Sequence, residues 1–248
     1  WGDHQIIYAL KFLEFIQNHY PNRLKGYFEK EIFVYANVPY KIKSYQELLF
    51  NPKDTIDFDD FADETIRKER SRIGADGALL RTIDGQLHRV NFIEKMLASV
   101  LAKVSNFILE GGIWMNTQRP EWNDANNALV GKGVSMVTLY YLRRYLTFFD
   151  GIFDGLENQK IPLSKELYSF FTEIHHVFQD NLKLLFGDIT DNHRRKVLDG
   201  LGKAAGRYRN KIYKSSFSGK KQQLQLKELK SFVRSEEHTS ELQSLTNL

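Results

Sequence analysis

The most chemically capable stretch of this chain is Gly111-Gly112-Ile113-Trp114-Met115-Asn116-Thr117-Gln118-Arg119-Pro120-Glu121-Trp122-Asn123-Asp124-Ala125-Asn126-Asn127. It reads as a loop, and loops on a rigid scaffold tend to carry function. The residue types suit a saccharide. The indole faces of Trp114 and Trp122 can stack on the C–H face of a pyranose ring. Asn116, Gln118, Arg119, Glu121, Asn123 and Asn126 can bond its hydroxyls as donors or acceptors. A carboxylic acid among them, Asp124, can protonate a glycosidic oxygen. The competing reading is structural: Asn123 or Asp124 caps the helix that follows, and the Trp residues anchor the core. On residue types alone the two readings carry equal weight.

A second candidate is Trp1-Gly2-Asp3-His4-Gln5, where Asp3 either binds substrate or caps the first helix. Arg143-Arg144 sit deep in an apolar pattern, and an outward course at the helix end is the more common fate of such a pair. Other clusters are set aside. Asp57, Asp59, Asp60 and Asp63 lack the spacing and glycine of a calcium loop. His175-His176 are adjacent on a helix and so point to different faces. Gly131-Lys132-Gly133 is not a phosphate-binding loop and reads as a site of close helix packing. The basic run from Lys203 to Lys221, with Tyr208 and Tyr213 between its charges, fits a solvated outer helix face better than a nucleic-acid surface. No metal, cofactor or nucleic-acid partner is expected.

These residues must be positioned by helices. Ile6, Ile7, Leu10, Leu13 and Ile16 predict a helix over 4–19. Residues 31–56 read as a connection with little regular structure, and 57–72 as a charged helix closed by Gly74. Two short apolar runs around Asp84-Gly85 predict a hairpin over 78–90. Helices are expected over 91–109, 125–148 (apolar on nearly every side, hence buried), 164–186, 191–213 and 220–233.

With 248 residues, 42% hydrophobic and 27% charged, the chain suits a single domain with a sizeable core. It has no apolar run of 18 or more, which excludes a helical membrane span. It has no cysteine, which excludes disulfide scaffolds, cysteine nucleophiles and cysteine-based zinc sites. The net charge of +4 is mild for a nucleic-acid binder. The start at Trp1, inside an apparent motif, suggests an upstream continuation, so no compartment is assigned beyond a slight preference for the cytoplasm. Residues 234–248, from Arg234-Ser235-Glu236-Glu237-His238-Thr239, resemble a translated sequencing adapter and are expected to be non-native.

Glu121-Trp122-Asn123-Asp124-Ala125 resembles the Asp-Trp-Asn-Asp-Gly motif of cellobiose-phosphorylase-like enzymes. It is also similar to the Trp-x-Asp-Ala motif of the amylo-α-1,6-glucosidase domain of glycogen-debranching enzymes. The run from Gly111 to about Arg144 resembles a bacterial group loosely associated with these enzymes. The resemblance implies an all-α fold: a partial (α/α)6 toroid, with one small β-hairpin insertion, over 1–233. It implies that Asp124 is the general acid and that the partner group comes from a later segment. Glu121 stands where Asp is usual and Ala125 where Gly is usual, and the phosphate-binding residues of the phosphorylases are not visible. Inverting hydrolysis of an oligosaccharide is therefore favoured over phosphorolysis, with sugar, linkage, anomeric configuration and oligomeric state open. The alternative is a non-catalytic helical scaffold or a carbohydrate- or protein-binding domain.

Overall fold

The computed structural model describes residues 2–117 and 128–234. Helix α1 (Gly2–His19) buries Ile6, Leu10 and Leu13, the stripe its spacing predicts. It runs from Gly2, so the backbone of Asp3 lies within its first turn. The segment expected to be irregular is structured. Strands β1 (Phe33–Val34), β2 (Tyr40–Ile42) and β3 (Ile56–Phe58) flank α2 (Tyr45–Phe50). Helix α2 opens with a capping box in which the Ser44 hydroxyl accepts from the Glu47 N–H at 3.3 Å and the Ser44 N–H donates to the Glu47 carboxylate at 2.9 Å. Helix α3 (Asp60–Ile73) is capped by Asp59, which accepts from the Ala62 N–H at 2.9 Å, and closes at Gly74 as expected.

The Asp84-Gly85 turn forms. The Thr82 N–H donates to the Gln86 carbonyl at 2.8 Å and Arg81 bridges Leu87. Its arms also pair outward, since β4 (Arg89–Val90) lies antiparallel to β1. Helix α4 (Phe92–Val104) is capped by Asn91, whose side-chain oxygen accepts from the Glu94 N–H at 2.8 Å. It stops short of the expected 109. After Ser105 the chain turns into β5 (Phe107–Ile108), β6 (Gly112–Trp114) and β7 (Val134–Ser135), a three-stranded antiparallel sheet.

The long helix expected over 125–148 is likewise interrupted. Gly131 adopts φ +79° in a turn, and helix α5 (Met136–Ile152) starts only after Ser135, whose hydroxyl accepts from the Thr138 N–H at 3.1 Å. Nor is α5 buried all round: Leu139, Leu142, Tyr145, Leu146 and Phe149 face inward, while Val137 and Tyr140 are exposed. Arg144 leaves at the surface, as expected, and pairs with Glu14 of α1 through two bonds at 3.0 and 2.8 Å.

Strand β8 (Lys160–Ser164) pairs antiparallel with β9 (Lys221–Gln225). Between them lie α6 (Lys165–Asn181) and α7 (Asp191–Ser215). Phe170 stacks on Tyr208, Glu173 pairs with Arg207 and Gly200 abuts Val177, so the two helices pack antiparallel. Thr190 caps α7, its hydroxyl accepting from the His193 N–H at 3.3 Å. Residues 226–234 form helix α8, so the first part of the helix expected over 220–233 is strand β9. The core is one cluster drawn from α1, α4, α5, α6, α7 and α8, with a satellite of Tyr45, Leu48 and Trp114. Helix predominates and the sheets are small, but there are four of them among the described residues where one hairpin was expected.

Candidate functional site

The β5–β6–β7 sheet forms the stem of the segment read as the substrate loop. Met115 and Gly131 face each other across it: the Gly131 N–H donates to the Met115 carbonyl at 2.6 Å and the Met115 N–H to the Gly133 carbonyl at 3.0 Å. Trp114 stands at the outgoing foot, 9% exposed, against Tyr45 and Leu48. Its indole N–H donates to the Gly131 carbonyl at 3.2 Å, across to the returning foot. The Asn116 side chain donates to the Asn106 side-chain oxygen at 2.6 Å, and its own oxygen accepts from the Thr117 hydroxyl at 3.2 Å. The side chains of both residues are thus engaged in the stem. Gln118, Arg119, Glu121, Trp122, Asn123, Asp124 and Asn126 lie outside the described residues, and Asp3 is placed by its backbone alone, in the first turn of α1.

The stem has a tight seat. A side chain on Gly131 would place its Cβ 2.2 Å from the Pro52 carbonyl oxygen, and φ +79° disfavours any other residue there. Gly131 therefore serves a turn against Pro52, not the helix packing that its sequence context suggests.

A second polar centre, unforeseen from the sequence, lies where α4, β8, α6, β9 and the 80–90 hairpin meet. Glu94 is fully buried and His88 is 2% exposed. One oxygen of Glu94 accepts from the Ser164 N–H at 2.8 Å and lies 3.6 Å from the Lys221 ammonium. The other has no hydrogen-bond partner and lies 4.0 Å from His88 Nε2. Ser164 Oγ approaches the same Nε2 at 3.4 Å. Glu166 accepts from the Ser218 N–H at 3.1 Å through one oxygen, while its other oxygen is buried without a partner. The His88 ring stacks on Phe217 with centroids 4.0 Å apart.

Burial sets the electrostatics here. Desolvation pushes the Glu94 carboxyl up, against the opposing pull of Lys221 and the Ser164 bonds. Desolvation, then the Lys221 charge, push the His88 imidazole down from 6.5 to about 4, against Glu166. The Tyr35 hydroxyl, which donates to the Glu94 backbone carbonyl at 3.4 Å, is held far above its usual range. Chemically, this is not a Ser-His-acid relay. Such a relay needs the hydroxyl and the carboxylate on opposite ring nitrogens, and here both approach Nε2.

The signal for this centre was present in the sequence. Glu94 shares a helical stripe with Leu97 and Leu101, and Glu166 one with Phe170, Ile174 and Phe178, all of them core positions. Among the described residues no group of three or more His, Cys, Asp or Glu is arranged to hold a metal. No helix among them is long and apolar enough to cross a membrane. No protein-family model matches the chain, and no curated protein matches it.

Proposed function

We propose that this chain carries part of the catalytic domain of a carbohydrate-active enzyme, a partial (α/α)6 toroid that cleaves glycosidic bonds in an oligosaccharide by general-acid catalysis. Asp124 is the acid. The observation that carries the reading is the closed stem: the segment bearing Glu121-Trp122-Asn123-Asp124-Ala125 leaves and returns through feet bonded at Met115–Gly131 and Met115–Gly133. A general acid must be held to a fraction of an ångström, and a stem pinned to sheet and core provides such support. The predominance of helix is consistent with the toroid.

In this reading Asp124 is protonated and donates to the leaving oxygen. A second carboxylate activates water on the opposite face of the sugar, about 6.5–9.5 Å from the acid, as inversion requires. Glu121 acts as a hydroxyl acceptor or a brace for Arg119. Trp122 takes the stacking role, and Trp114 positions the loop from below.

The test is Asp124→Asn in the complete protein that contains this chain. Release of reducing ends from a panel of oligosaccharides should fall about 10²–10⁴-fold, with an unchanged melting temperature. Undiminished turnover removes Asp124 from the role. A second reading, a non-catalytic scaffold that binds carbohydrate or protein, draws on the engagement of Trp114 and Asn116 within the stem. It requires oligosaccharide binding without turnover in the parent and unaltered affinity in Asp124→Asn.

A further inference from the structure

We propose that the buried cluster of His88, Glu94, Glu166 and Lys221 is an acid-operated latch: neutral His88 seats Phe217 and holds the 216–221 crossing and strand β9 in place, and a proton on His88 releases them.

The crossing is tied at several points, among them the Ser216 hydroxyl donating to the Arg81 carbonyl and the Tyr35 and Tyr208 rings against Phe217. It leaves α7 at Ser216, a non-glycine residue at φ +55°, a conformation that costs on the order of 1 kcal/mol or more and persists only where its surroundings impose it. Phe217 then lies flat on the His88 ring, 4.0 Å away. Further ties converge on the same place, and β9 itself is paired with β8 over five residues. The Ile83 N–H donates to the Phe217 carbonyl at 2.9 Å, the Ser218 N–H to Glu166 at 3.1 Å, and the Lys165 N–H to the Lys220 carbonyl at 2.9 Å. Lys221 enters β9 while its ammonium reaches the Arg89 carbonyl at 3.2 Å, Glu31 at 3.1 Å and Glu94 at 3.6 Å. One ring thus connects the hairpin, α4, the β8–α6 junction and β9.

The groups facing that ring come from every element packed on it. Glu94 belongs to α4, Ser164 and Glu166 to the β8–α6 junction, Lys221 to β9, and Tyr35 stacks at 5.9 Å. Tyr208 of α7 feels both carboxylates, and Glu31 pairs with Lys221. Opening the crossing hydrates His88 and restores its ordinary basicity, so the open form binds the proton more tightly than the closed form. The closed form gains full stability from His88 above about 6.5 and loses it as pH falls through about 4. Glu94 works with the opposite sign: its raised pKa means that the closed form favours the protonated acid, a contribution present at low pH and lost as pH rises. In the latch the His88 contribution, a second cation beside Lys221, outweighs the opposing one of Glu94, so the crossing opens as pH falls through the acid range.

The experiment is hydrogen exchange on the full chain between pH 7 and 3.5, with rates corrected for intrinsic pH dependence. Protection of the Ile83, Lys165 and Ser218 amides should fall by roughly two orders of magnitude across this range, while the amides in the interiors of α6 and α7 keep theirs. His88→Phe, which preserves the stack and cannot be charged, should hold the protection. Lys221→Met should move the opening to higher pH and Glu166→Gln to lower pH. Should His88→Phe not fold, the imidazole titration of the unaltered chain by NMR decides. A midpoint near 4 that coincides with the loss of protection supports the latch. A midpoint near 6.5, an identical acid loss in His88→Phe, or simultaneous loss across α6 and α7 overturns it.

Discussion

Gly131 turns the stem back beneath Pro52, and its cost of replacement can be stated. Gly131→Ala adds a Cβ 2.2 Å from the Pro52 carbonyl oxygen at a residue with φ +79°. A loss of about 1–3 kcal/mol in urea unfolding is expected from the backbone conformation and the clash together. Trp114→Phe keeps a ring in the satellite core but forfeits the indole bond to the Gly131 carbonyl. If the loop is catalytic, the change should loosen the returning foot and lower kcat more than it raises KM, a split that steady-state kinetics reads directly. At this scale a sequence speaks where a motif has a spacing, as residues 121–125 do, and these lie outside the described residues. The sequence is silent where chemistry comes from distant residues meeting. His88, Glu94, Ser164 and Lys221 span 133 positions with no motif between them, and only the placement of Glu94 and Glu166 on apolar stripes hinted at burial.

Helices α1, α6 and α7 are legible because each has an apolar stripe, and α3 because its charged run closes at Gly74. Ser44-Tyr45-Gln46-Glu47 spells a capping box inside a stretch taken as irregular. Ser135 caps α5 in the middle of a run read as one helix, because apolar residues on both sides of Gly131 and Gly133 concealed the break. Strands of two or three residues carry too little alternation to be read, which is why β5, β6 and β7 were missed. Helix α8 gives the test at this scale. Leu229 is 3% exposed and packs with Phe232 and Val233 in the main core. Leu229→Ala should cost about 2–5 kcal/mol in chemical denaturation. A cost near zero would mean that 226–234 belongs with the tail and not with the domain. Arg144→Ala, which removes an exposed pair with Glu14, should cost less than about 1 kcal/mol despite its two bonds.

For the molecule as a whole, helical class and a shared core were readable from composition and periodicity. The arrangement of the helices relative to one another is global, and local periodicity does not encode it. Acid response belongs to this scale too. Glu157, held down to about 2 by the Lys230 ammonium and neighbouring backbone donors, supplies stability above its ordinary 4.5 that is lost as pH falls through about 2. Glu157→Gln should flatten the melting-temperature profile between those limits and leave it unaltered near neutrality. The effect should be small, because the pair is solvent-screened.

Tyr45 is wedged into a notch on α7, where a Cβ at Gly202 would come within 2.3 Å of its ring, and its hydroxyl donates to Asp199 at 2.6 Å. The same ring is the floor on which Trp114 rests. A methyl group at Gly202 would therefore travel through two aromatic rings to the foot of the 118–127 segment. If Asp124 is the general acid proposed above, a genetic screen scored on lost turnover would recover Gly202 alongside it, and a melting curve would tell the two apart: the first variant should melt early and the second on time.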